Sequence, residues 1–137
     1  MKKIVKVVLS VFLFAVVFSF LYSNQEKQEL QQLLTFSDSA AVEVINGGKN
    51  HGSTRNVSET DRAAILAELQ NVAYAPFHSN RPTFDNAKEY HYITVIDAER
   101  TYHFSIFVDE GYGAVSQYCF TYSEELLSLL RDLPFSS

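Results

Sequence analysis

Metal or nucleophilic chemistry in this 137-residue chain would have to come from four histidines, one cysteine and a few neighbouring carboxylates. A protein metal site needs several such ligands to converge, usually at recognisable spacings. His51, His78, His91 and His103 form no His-x-His or His-Glu-x-x-His pattern, and the lone Cys119 excludes Cys-x-x-Cys. His51 and His78 fall in segments that read as loops, where histidines are ordinarily solvated. No metal or cofactor is therefore expected. Thiol catalysis by Cys119 would require a base within hydrogen-bond reach and a lowered thiol pKa. Its strand is crowded with aromatic residues, so a small core side chain is the expected role.

Other motifs fare no better. A Gly-x-Ser-x-Gly elbow is absent, and Asn46-Gly47-Gly48 resembles a phosphate loop only by its glycines, so it reads as a hairpin turn. Asp109-Glu110 and Glu124-Glu125 are sequence neighbours whose side chains diverge, unlike a general acid/base pair. Asp97, Glu99 and Arg100 flank a hairpin tip. The expectation is a chain without catalytic residues, not an enzyme.

What positions these residues begins with composition. The sequence is 47% hydrophobic with a formal charge of −5, but nineteen residues, Ile4 to Tyr22, are apolar except for Lys6, Ser10 and Ser19. Lys2, Lys3 and Lys6 precede or enter that block, and from Asn24 onward eight basic residues face sixteen acidic ones, a charge of 8 − 16 = −8. An acidic body argues against nucleic-acid binding, which depends on a basic surface. Lysines ahead of an apolar run mark a membrane anchor or an export signal and place the body outside the cytoplasm. From Val7 to Tyr22 the run has sixteen residues, long for a signal core and a little short of the ~20 of a full span. Cleavage after Ser19 or Ser23 and retention as a single-pass anchor both stay open. With one cysteine, no intramolecular disulfide can form.

Three regions follow: 1–23 as signal or anchor, 24–40 as a helical stem and linker with Leu30, Leu33 and Leu34 in one stripe, and 41–137 as the folded domain. Residues 41–45 alternate as a strand, 46–48 form the turn, and a weak return strand covers about 52–57. Ser58 caps a helix from Glu59 to about Val72 whose apolar face holds Ile65, Leu66, Leu69, Val72 and Ala73. For that reason the sequon Asn56-Val57-Ser58 carries little weight. Residues 75–88 read as a long loop. Strands follow at 90–97 and 100–108; if Asp97 faces Arg100, then Val95 faces Tyr102, Ile93 faces Phe104 and His91 faces Ile106. A third strand covers 114–122, and Ser123 starts a final helix that buries Leu126, Leu127, Leu130 and Leu133 before Pro134. The fold class is α+β: an antiparallel sheet, made of a three-strand C-terminal meander plus an N-terminal strand or hairpin, with two helices on one face and a membrane helix in front.

The chain has eight Tyr and eleven Phe without Trp, and seven of each lie from Asn24 onward, so the body is rich in aromatics. Tyr90, Tyr92, Phe107 and Tyr118 are expected on the sheet face away from the core, where tyrosine offers large contact area at small entropy cost.

AVEVING, SETDRAAILAEL, YHYITVID, TYHFSIFV and YSEELLSLL, in that order, loosely resemble small exported or membrane-anchored α+β domains of uncharacterised function from Gram-positive bacteria. The likeness is one of element order, and no functional residue is carried over from it. The expected function is a membrane-tethered, extracytoplasmic, non-enzymatic module for a protein or cell-envelope partner. The alternatives are an inhibitor or immunity protein with one target and, less favoured, a small hydrolase.

Overall fold

The apolar block and the stem form one uninterrupted helix. In the computed structural model, which describes residues 2–48, 51–75 and 88–135, α1 runs from Lys2 to Leu33 without a glycine or proline to break it. Among the described residues nothing buries its apolar half: the most hydrophobic window is 0% buried, and the helix is long and apolar enough to cross a membrane. Its last turns differ. Leu30 is 1% exposed and Leu34 3%, and Phe36 and Ala40 are buried just beyond them. The stem thus supplies part of the domain's core.

The linker after α1 is held in place. Asp97 accepts hydrogen bonds from the Ser37 hydroxyl (2.6 Å) and backbone N–H (2.9 Å), and these hold its carboxyl below the usual range. The Arg62 guanidinium donates to the carbonyls of Asp38 and Ala40 at 2.6 and 2.9 Å.

Among the described residues, seven antiparallel strands follow, with helices between them. They are β1 (Ala41–Gly48), β2 (His51–Arg55), β3 (Ala73–Tyr74), β4 (Tyr90–Asp97), β5 (Arg100–Phe107), β6 (Tyr112–Val115) and β7 (Tyr118–Thr121), joined in the order β2-β1-β4-β5-β6-β7-β3. The two further helices are α2 (Glu59–Gln70) and α3 (Glu124–Arg131). Ser58 and Ser123 cap them as expected, each hydroxyl accepting the third N–H onward at 3.1 Å. Ile65, Leu66 and Leu69 of α2 and Leu126 and Leu130 of α3 are buried in one core with the end of α1 and the inward residues of the sheet. Among the described residues, all three helices contribute to this one core face.

The α+β class and the central hairpin agree with the sequence reading: Asp97 pairs with Arg100, Val95 with Tyr102, Ile93 with Phe104 and His91 with Ile106. Three expectations are corrected. The second helix ends at Gln70, so Val72 lies beyond it and Ala73, expected on its apolar face, is an exposed residue of β3. Asn46, Gly47 and Gly48 are strand residues, with Gly48 paired to His51, and so are not themselves the turn. A Cβ on Gly48 would lie 1.9 Å from the Lys88 carbonyl, so glycine permits a close backbone approach there. The third strand is in fact two. Ser116 adopts φ +54°, the chain reverses at Ser116-Gln117, and Val115 pairs with Tyr118. That turn contains no Gly, Pro or Asn, which left it unmarked in the sequence. Residues 76–87 of the expected long loop, His78 among them, lie outside the described residues.

Candidate binding surface

Strand alternation divides the aromatics between two faces. On β4, His91, Ile93 and Val95 are buried inward while Tyr90, Tyr92 and Thr94 point outward; on β5, Tyr102, Phe104 and Ile106 face in and His103, Ser105 and Phe107 face out. The outward set does not behave as one open patch. Tyr92 is half-buried, and its hydroxyl lies 2.8 Å from His103 Nδ1, with the two rings stacked at 5.7 Å and 17°. This is a diagonal cross-strand pair, since Tyr92 is directly opposite Ser105 and His103 opposite Thr94. Tyr90 packs over Gly52, where its hydroxyl lies 2.8 Å from the site of an added Cβ. Phe107 is 5% exposed and lies beside Tyr112, with centroids 6.4 Å apart.

Tyr118 is on the opposite face. Because the chain turns at Ser116-Gln117, Tyr118 aligns with Val115, which aligns with inward Phe104. A single strand through 114–122 would have put Tyr118 on the side of Ala114; the two-residue hairpin swaps its face. Its hydroxyl donates to Glu29 on α1 at 2.7 Å, so it ties helix to sheet. Cys119 takes the outward place instead and is buried with Ala75 and Tyr112, a packing role of the kind its surroundings suggested.

What remains at the surface is centred on β1, β4 and β5. Ile45, opposite Tyr92, and Ile96 are 37% and 38% exposed. Beside the Tyr92–His103 stack opens a cleft of about 820 Å³, lined by both residues and by Arg100, Thr101, Ser105 and Phe107 among others. A stacked ring pair, a guanidinium and hydroxyl groups suit a partner with both apolar and hydrogen-bonding groups.

A second constellation was invisible in the sequence. Asn46 and His91 are buried, at 6% and 2% exposed. Asn46 Nδ2 donates to the Leu130 carbonyl at 2.6 Å, one of the carbonyls left over at the end of α3. Its Oδ1 lies 2.7 Å from His91 Nδ1; with the amide so oriented, the ring nitrogen donates. His91 Nε2 lies 3.6 Å from Glu89, and Arg131 donates to both Glu89 oxygens at 2.9–3.1 Å. Burial depresses the His91 pKa against the opposing pull of Glu89, while Arg131 lowers that of Glu89.

A histidine next to a carboxylate is the arrangement a small hydrolase would need, so its geometry matters. Ser53 lines the same cleft of about 400 Å³, but its hydroxyl donates to the Asn46 carbonyl and His91 is engaged by the Asn46 side chain. No nucleophile–base hydrogen bond joins them. The network links β1, β4 and α3. Among the described residues, no three His, Cys, Asp or Glu side chains are grouped to hold a metal ion, and His91 and His103 lie on opposite faces of the sheet. No family model, curated protein or solved structure matches the chain.

Proposed function

We propose that the chain is a membrane-anchored domain displayed outside the cytoplasm, a non-enzymatic module that binds a protein or cell-envelope partner through the outer face of β1, β4 and β5. The observation that supports it most is α1, whose bare apolar half continues without a break into a half that is part of the folded core. A helix of that form suits a domain kept at a bilayer. Lys2, Lys3 and Lys6 at its start favour the cytoplasmic side for that end. The surface around Tyr92 and His103 is then the part of the sheet available to a partner.

Photo-crosslinking tests the binding role. A photoreactive residue at His103 of the full chain, in membranes of cells that naturally carry it, should give a discrete heavier band. The same residue at Glu125 on α3 should not. Tyr92→Ala should weaken the band while leaving the thermal midpoint within a few degrees, as expected for a partly exposed side chain. Identical bands from both positions, or none from His103, would overturn this reading.

A further inference from the structure

We infer that the sheet stands on edge on the bilayer, its strands parallel to the membrane plane, with β3 seated in the lipid headgroup layer and β2 farthest from it. This rests on the reading that α1 stays in the membrane.

The direction follows from the order in which α1 meets the strands. Glu26 accepts from the Tyr74 hydroxyl on β3. Glu29 accepts from Tyr118 on β7. Leu33 packs against the core that holds Val115 of β6 and Tyr102 of β5, and with them borders the cleft beside the Tyr92–His103 stack; just past the helix Phe36 packs edge-on against Tyr102 and Phe104 of β5 at 5.0 and 5.9 Å. The helix therefore crosses the strands in sheet order. From Glu26 to Leu33 it rises about 10 Å, and the two steps from β3 to β6 also measure about 10 Å. Helix axis and strand-stacking direction run together.

The height follows from where the apolar run ends. Ile4 to Tyr22 measure about 28 Å, close to a hydrocarbon core of about 30 Å. Glu26, the first residue tied to the sheet, lies about 6 Å beyond Tyr22, within a headgroup layer of about 5–7 Å per leaflet. Tyr22 and Tyr74 lie at this level, where interfacial tyrosines concentrate, and Tyr118 on β7 stands one strand step above it. β3 is a two-residue edge strand, and edges need covering; the headgroups would cover this one. Charge distribution agrees, since Glu26 and Glu29, the first acidic residues past the apolar run on α1, each accept a tyrosine hydroxyl. β5 and β4 then stand about 14–19 Å above β3, and β2 about 29 Å. The Tyr92–His103 surface would meet its partner side-on, well clear of the lipid.

The chain has no tryptophan, so single reporters can be placed at will. Ala73 on β3 and Thr54 on β2 are both exposed. Full-length Ala73→Trp and Thr54→Trp would be reconstituted in phosphatidylcholine vesicles carrying a headgroup spin label, and their flotation with the vesicles recorded. Ala73→Trp should be quenched about threefold more than Thr54→Trp, given a height difference several times the headgroup layer. Thr121→Trp, exposed and paired with Ala73, gives a second reporter should the first variant misfold. Equal or reversed quenching in chains that float overturns the orientation alone, and so does burial of the β3 reporter against a second copy of the chain without lipid quenching. Failure to float overturns the anchor and the orientation with it.

Discussion

Leu30→Ala is expected to destabilise the folded domain by about 2–5 kcal/mol, the usual cost of emptying a fully buried leucine site. In a domain of roughly 100 residues that is a fall of at least about 10 °C in the thermal midpoint. The residue sits eight positions past the apolar run, in a segment whose composition reads as a polar stem, and a freely hanging stem would lose nothing. Its side chain is instead 1% exposed and belongs to the core with Ile65, Phe104 and Leu126. Near-UV circular dichroism of the full chain in detergent measures the effect. Gln31→Ala, on the exposed side of the same turn, is the matched control and should shift the midpoint by only a degree or two. Equal midpoints for the two variants would mean that the stem does not support the domain.

Asn46→Ala is expected to cost about 2–4 kcal/mol at pH 7, because it strands two buried groups, the His91 ring N–H and the Leu130 carbonyl. The same network is expected to make the unmodified domain acid-sensitive. Burial lowers the His91 pKa in the folded state, so the unfolded chain takes up the proton first. Stability is fully present above the unfolded histidine value of about 6.5 and is lost as pH falls through that value toward the lower folded one. Glu89, also depressed by Arg131, extends the loss below the ordinary glutamate range. Urea unfolding at pH 7 and pH 5 should show lower stability at pH 5. His91→Gln should flatten the part of the profile near pH 6. A flat profile in the unmodified chain would remove His91 from this role.

Legibility followed the strength of local pattern. The β4–β5 register could be derived because His91, Ile93 and Val95 and Tyr102, Phe104 and Ile106 alternate without a break on both sides of a short turn. The capped helices were equally plain, since Ser58 and Ser123 precede acidic first turns and apolar faces. The Ser116-Gln117 turn was not. It takes positive φ at a serine, and missing it carried Tyr118 to the wrong face. β3 could not be foreseen either, for two residues carry no periodicity. Asn46 shows a different limit: beside two glycines it reads as a turn residue, and only its partners 45 and 84 positions away reveal it as the buried hinge of a polar network. Of the surface proposed for binding, the outward parity of Tyr92 and His103 was readable, while their stacking and the burial of Phe107 depended on tertiary packing.

The claim beneath all of this is that α1 keeps its apolar half. The intact mass of the chain extracted from membranes of cells that carry it tests that most directly. A mass that includes Ile4 to Tyr22 is expected. A chain beginning after Ser19 or Ser23 would contradict the anchor and release the domain from the bilayer.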